Sequence, residues 1–193
     1  TVIVPGSGTF GMESVARQFA GDARVLIVRN GFFSYRWSQI LEMGRITSAE
    51  RITVLKARRT GSGPQAPFAP APIDEVVAAI ARDKPGVVFV PHVETASGIL
   101  MPDDQLRRIA EAVHAAGGLF VLDCVASGAV WVDMRAVGVD VLISAPQKGW
   151  SSQPACAMIG LSSRALVALE RTTSTSFSMD LKKWHQIMQS YET

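Results

Sequence analysis

Val87-Val88-Phe89-Val90-Pro91 is apolar at every position, with no polar residue on either side of a two-residue repeat. A strand that alternates apolar and polar can leave one face in water; one that does not must be covered on both faces. Leu119-Phe120-Val121-Leu122 has the same character and ends on Asp123. Outward from these two, β-branched runs predict strands over Val2–Pro5, Arg24–Arg29, Arg51–Lys56, Asp140–Ser144 and Ala157–Leu161. Helix-period segments lie between most of them, over Gly11–Phe19, Ser34–Met43, Ile73–Arg82, Asp103–Ala116 and Ser163–Arg171, with a last one over Met179–Tyr191. Strands alternating with helices predict an α/β fold, a three-layer α/β/α sandwich on a mostly parallel seven-stranded sheet.

Punctuation supports these boundaries. Asp103-Asp104 after Pro102 opens a helix that closes at Gly117-Gly118, and Asp74-Glu75 put acids where a helix dipole favours them. The Pro- and Gly-rich stretch Thr60–Pro72 reads as a surface loop rather than a linker between two cores.

The chain has 193 residues, 48% hydrophobic and 19% charged, with a mean hydropathy of +0.20. This is enough apolar material for one large domain and too little charge for a disordered chain. Nineteen Lys and Arg against seventeen Asp and Glu leave a net charge of +2, so no basic surface points to nucleic acid. The apolar runs fall short of the about 20 residues that span a bilayer. Cys124 and Cys156 form no CxxC pair, which argues against zinc or a disulfide framework and for reduced thiols in a cytoplasmic protein. The opening Thr1-Val2-Ile3-Val4 has no initiator Met, and the chain is expected to be a piece of a longer protein.

In a parallel α/β sheet, ligands collect beyond the carboxyl ends of the strands. Gly6-Ser7-Gly8-Thr9-Phe10-Gly11 follows one strand and opens a helix. Its glycines allow close backbone approach, and the helix N-terminus offers unpaired N–H groups to a phosphate. The string also fits the dinucleotide fingerprint G-x-G-x-x-G. That motif wants an acid at the end of the second strand, where this chain has Arg29-Asn30. Asp123 ends an apolar strand, where a lone charge is costly and needs a cationic partner or a proton. Lys148, in Ala145-Pro146-Gln147-Lys148-Gly149-Trp150, is a lysine among apolar neighbours. Desolvation there would favour the neutral, nucleophilic amine. A phosphate cup, a strand-end Asp and a strand-end Lys together meet the needs of pyridoxal 5′-phosphate (PLP): a phosphate to hold, a pyridinium nitrogen to pair, an aldehyde to bind.

Gly6-Ser7-Gly8-Thr9, His92-Val93-Glu94-Thr95-Ala96-Ser97-Gly98, Asp123-Cys124-Val125-Ala126-Ser127 and Ser144-Ala145-Pro146-Gln147-Lys148 resemble the class V aminotransferases of the fold-type-I PLP superfamily. The likeness is greatest to alanine–glyoxylate and serine–glyoxylate (serine–pyruvate) aminotransferases. The resemblance implies that residues 1–193 are the PLP-binding large domain of a homodimeric enzyme with its active site at the subunit interface. It implies Lys148 as the Schiff-base lysine and Asp123 as the pyridinium partner. Ser7, Gly8, Thr9 and Gln147 become the phosphate contacts, Val125 the apolar residue beneath the ring, and Thr95 a hydroxyl at its edge. Phe33 matches the stacking aromatic, where many relatives have Trp, with Phe32 as the alternative. Thr9 departs from the His that some relatives carry.

The activity implied is transfer of an amino group from alanine or serine to a 2-oxo acid such as glyoxylate. The alternatives are a 2-aminoethylphosphonate transaminase, a cysteine desulfurase or lyase, or an NADP-binding oxidoreductase. Desulfurases carry His before the lysine where this chain has Gln147, and neither cysteine falls on the loop that they require. His92 reads either as a cofactor contact or as a hydrogen-bonded packing residue, and Trp131 and Trp150 as core or rim aromatics. Arg45, Arg51, Lys56, Arg58 and Arg59 read as a solvated face, and Arg36, near the stacking aromatic, is given no role.

Overall fold

Each central strand sends alternate side chains to opposite faces of one sheet. In the computed structural model, which describes residues 1–192, both faces are covered; Thr193 lies outside the described residues. Seven strands make the main sheet: β1 (Val2–Pro5), β2 (Val25–Arg29), β3 (Ile52–Lys56), β4 (Val87–Pro91), β5 (Leu119–Asp123), β6 (Val141–Ser144) and β7 (Cys156–Leu161). Their spatial order is β1-β7-β6-β5-β4-β2-β3. The four pairings from β6 through to β3 are parallel, whereas β7 runs antiparallel to both β1 and β6. Two reversals restore direction, so β1 points the same way as β6. The carboxyl ends of all strands but β7 therefore open on one edge.

The helices are α1 (Gly8–Phe19), α2 (Phe32–Met43), α3 (Ile73–Asp83), α4 (Asp103–Ala115), α5 (Met134–Val137), α6 (Ser163–Arg171) and α7 (Leu181–Gln189). Val25, Ile27, Val87, Phe89 and Val121 join a core with α1, α2, α6 and α7. Leu26, Val28, Val88, Val90, Phe120 and Leu122 join a second core with α3 and α4. Strictly alternating sides of the same strands thus feed two cores, the physical content of a run without polar alternation. At the centre of the first core the Trp37 ring stacks on Phe89, with centroids 4.1 Å apart.

The structure moves some boundaries. The first helix begins at Gly8 rather than Gly11, so four of the six residues of the glycine-rich string are helix. The stretch Thr60–Pro72 is less open than expected, because Arg58–Arg59 pairs with Phe68–Ala69 across it. A second small hairpin joins Val93–Glu94 to Ile99–Leu100. The five basic residues Arg45, Arg51, Lys56, Arg58 and Arg59 are all exposed. No helix among the described residues is long and apolar enough to cross a membrane.

Candidate active site

The carboxyl edge of the sheet holds a cavity lined by Ser7, Gly8, Thr9, Met12, Phe33, Arg36, Pro91, Val93, Thr95, Asp123, Val125, Ala126, Gln147 and Lys148. All nine site residues that the family resemblance implies are among them. Five separate segments supply these walls, and each arrives by a turn just past a strand or at the start of a helix.

The cup is built by α1. Gly6 takes a left-handed backbone, φ +126°, that lets the chain turn from β1 into the helix. Ser7 is the N-cap, and its hydroxyl makes no capping bond; the first N–H groups of the helix have no partner within it. Gly8 sits so close to Val125 that a Cβ there would lie 2.8 Å from Cγ2. A Cβ on Gly11 would lie 2.5 Å from that of Ala157, which fixes the depth of α1 on the sheet. Across the cavity Gln147 leaves its buried Oε1 without a partner. The free hydroxyl and free backbone N–H groups form a donor set suited to a phosphate monoester, to which the Gln147 amide can add a donor only through its Nε2, its Oε1 being an acceptor.

Asp123 is 9% exposed. Its Oδ1 accepts the N–H of Val125 at 3.0 Å, and no ion pair engages it among the described residues. Burial pushes its carboxyl up to about 6, against the pull of the Val125 N–H and the Arg36 charge, with Glu94 adding to the rise. The expected cationic partner is thus present only as the field of Arg36, and the proton is the other way out of an unpaired buried charge.

Lys148 corrects the sequence reading in one respect: it is exposed at the mouth of the cavity rather than desolvated. Its neighbours Gly149 and Trp150 are exposed too, so the apolar run that suggested burial ends before it. The turn is nevertheless held, because Gly149 packs against the backbone of Gly128 and Ser151 N–H bonds back to the Lys148 carbonyl at 3.1 Å.

Of the two candidate aromatics, Phe33 lines this cavity and Phe32 lines a separate recess with Arg29 and Tyr35. Phe32 is 65% exposed against 37% for Phe33. His92 is outside the cavity lining. It is buried, its Nδ1 is 2.7 Å from the Ser127 Oγ, and burial holds its imidazole below the usual range, with Asp103 opposing. It is a packing residue. Trp131 and Trp150 meet edge to face on the rim, centroids 4.8 Å apart, both exposed.

Glu94 is the residue that sequence reasoning passed over. Fully buried, it accepts the N–H groups of Phe33 at 3.2 Å and Ala96 at 3.2 Å through Oε1. Its Oε2 takes the N–H of Ser34 at 2.8 Å and the Ser34 hydroxyl at 2.7 Å. One carboxylate therefore caps α2 and ties the aromatic wall to the turn that carries Thr95. In the sequence it is a lone acid between Val93 and Thr95, with nothing to mark it as buried.

The sequence matches the family described as Aminotransferase class-V over residues 12–190. It is 34% identical over 193 residues to a protein named soluble hydrogenase, small subunit, from Synechococcus sp., covering 96% of this chain and 46% of that one. It is also 34% identical to the 2-aminoethylphosphonate–pyruvate transaminase of Burkholderia mallei, covering 97% and 48%. The crystal structure of alanine–glyoxylate aminotransferase from Nostoc sp. superposes with a TM-score of 0.76 at 25% identity, covering 98% of this chain and 46% of that one. The chain spans about half the length of the curated relatives it matches. The chain belongs to the class V aminotransferases, within the fold-type-I superfamily whose cofactor is pyridoxal 5′-phosphate.

Proposed function

We propose that residues 1–193 are the cofactor-binding large domain of a cytoplasmic, homodimeric transaminase that passes an amino group from a small primary amine to a 2-oxo acid. The observation that carries this reading is the convergence of Lys148, Asp123 and the Ser7-Gly8-Thr9 cup on one cavity. When bound, PLP supplies a carbonyl that exchanges amines and a cationic ring that draws electrons from the substrate. Ser7, Gly8, Thr9 and Gln147 hold its phosphate. Asp123, in its low-dielectric setting, holds the proton on the ring nitrogen. Val125 forms the floor, Phe33 the stacked wall, and Thr95 bonds at the edge. The Lys148 amine would hold the cofactor's carbonyl and would move the proton at the substrate Cα.

For the donor, 2-aminoethylphosphonate with pyruvate as acceptor is the first reading, supported by 34% identity across 97% of the chain to transaminases of that name. Alanine or serine with glyoxylate is the second, supported by the likeness to the Nostoc alanine–glyoxylate enzyme. Neither cysteine of this chain lines the cavity as a thiol nucleophile would. Cys124 is buried and burial pushes its thiol up to about 12, and Cys156 lies in β7. The oxidoreductase reading has no support, because Arg29 turns to Ser38 and the Tyr35 ring and lies outside the cavity.

A panel of 2-aminoethylphosphonate, alanine, serine and aspartate, each with pyruvate and with glyoxylate, tests the pairing. The first reading expects the phosphonate to lead by at least tenfold in kcat/KM. Lys148→Ala should abolish turnover and the visible band of the bound cofactor; a variant that keeps both overturns the transaminase reading.

A further inference from the structure

Every donor that the cup offers from Ser7, the α1 backbone and Gln147 is neutral, yet a phosphate monoester carries up to two negative charges. Arg36 lies on the first turns of α2, half-buried, and lines the same cavity. Its Nη1 donates to the Thr9 Oγ1 at 3.0 Å, and its guanidinium carbon lies 5.7 Å from the centroid of the Phe33 ring. No carboxylate pairs with it among the described residues. A half-buried arginine without an anion, tied to a residue of an anion cup, is a charge waiting for its partner.

The direction of the Thr9 bond matters. A hydroxyl has one proton and two lone pairs. With a lone pair occupied by the Arg36 N–H, the Thr9 proton is free to be donated onward, and the charge behind it strengthens that donation.

We propose that Arg36 is the cation of the phosphate cup, acting on the dianion through the Thr9 hydroxyl and with its remaining N–H groups. This rests on the transaminase reading and adds to it a residue from the second helix. It also explains how a threonine serves at the Thr9 position: the positive charge is carried on α2 and delivered through a neutral hydroxyl.

The role separates from simple packing on Phe33 by what it recognises. Packing acts on the ring of the ligand, whereas a cup cation acts on its phosphate. The test uses the full-length protein stripped of cofactor and measures dissociation constants for PLP, for unphosphorylated pyridoxal and, by competition, for inorganic phosphate. Arg36→Gln should weaken PLP and phosphate by tenfold or more and leave pyridoxal within about twofold. Thr9→Val should weaken PLP in the same selective way, and the double variant should lose less than the product of the two single losses. Arg36→Lys, which keeps the charge and protects against a folding failure of the Gln variant, should lower the PLP-to-pyridoxal preference by two- to tenfold.

Equal losses for PLP and pyridoxal in Arg36→Gln assign Arg36 to packing and overturn the proposal. So does an unchanged preference in both Arg36→Gln and Arg36→Lys. A wild-type protein that binds neither PLP nor pyridoxal overturns the transaminase reading itself, and this inference with it.

Discussion

Glu94 and Ser34 stand sixty residues apart in the chain, and one carboxylate oxygen of Glu94 takes both the N–H of Ser34, at 2.8 Å, and its hydroxyl, at 2.7 Å. The Ser34 hydroxyl in turn accepts the N–H groups of Asn30 at 2.9 Å and Gly31 at 3.0 Å. The turn between β2 and α2 is therefore wired to the Glu94 hairpin. Gly31 is small for the same reason, since a Cβ there would sit 2.7 Å from the Glu94 Cγ. Glu94→Gln should cost about 1–3 kcal/mol of folding stability, because an amide presents one acceptor and one donor to a site made only of donors. Glu94→Ala should cost more. Urea denaturation reads the loss, and PLP affinity should fall with it as the Phe33 backbone loses its anchor. A Gln variant as stable as wild type, with unchanged PLP affinity, would remove Glu94 from this role.

Asp123 should make the cofactor-free protein less stable as pH rises. Burial lifts its carboxyl from 3.8 to about 6 in the folded state. Between about pH 4 and pH 6 the unfolded chain therefore gives up this proton before the folded one does. Stability falls across that window by about 3 kcal/mol and does not recover above it. Asp123→Asn keeps an oxygen for the Val125 N–H and abolishes the titration. Urea melts of the stripped protein should show the variant about 1–3 kcal/mol more stable than wild type at pH 7.5 and equal to it near pH 4. PLP affinity should move the other way, because the ring nitrogen loses its anionic partner. A variant that keeps the wild-type slope between pH 4 and 6 would assign that slope to another group.

The difference between what was legible and what was not follows from range. Val87–Pro91 and Leu119–Asp123 end where the sequence says, because a run without polar residues declares its own extent. The strand-end motifs carried the cavity for the same reason: each is contiguous, and strand direction puts the ends together. The start of α1 was misplaced because three glycines in six residues read as loop. Gly8 in fact serves the helix, kept small by Val125. Glu94 left no trace because its partners Phe33 and Ser34 lie on α2, about sixty residues away, and no periodicity marks a single buried acid. Lys148 was given too much burial because its apolar neighbours precede a turn that carries it outward.

Gly8→Ala should test whether the cup depends on the contact with Val125. The added Cβ would lie 2.8 Å from Cγ2 and 3.1 Å from Cγ1 of Val125. A β-branched side chain beside the hydrogen-bonded Asp123 has little freedom to give way. Overpacking of this kind costs about 1–3 kcal/mol, and it pushes the α1 N-terminus away from the cavity floor. Gly8→Ala should therefore lower both the unfolding midpoint and PLP affinity. Val125→Ala in the same chain should restore most of the stability by opening the space. A double variant no more stable than the single would show that the clash lies elsewhere, the Ala145 Cβ at 3.4 Å being the next contact.

Asp140 should separate stability from binding. It lies just before β6 at the opposite edge of the sheet from the cavity, and it is buried. Its Oδ2 is 2.8 Å from the His114 Nε2 and accepts the Phe120 N–H at 2.9 Å, while its Oδ1 accepts the Ser162 hydroxyl at 2.9 Å. The carboxylate thus joins α4, β5 and the cap of α6 at one point. Asp140→Ala strands the Phe120 N–H in the core and releases the other two groups, a loss of about 2–4 kcal/mol by the cost of unpaired buried donors. For a chain of this size that is a fall in Tm of roughly 4–16 °C, at about 2–4 °C per kcal/mol. The cavity residues are untouched, so PLP affinity measured well below the melting temperature should stay within about twofold of wild type. A tenfold loss of affinity would mean that β5 transmits the defect along its length to Asp123, and that the two edges of the sheet are mechanically coupled.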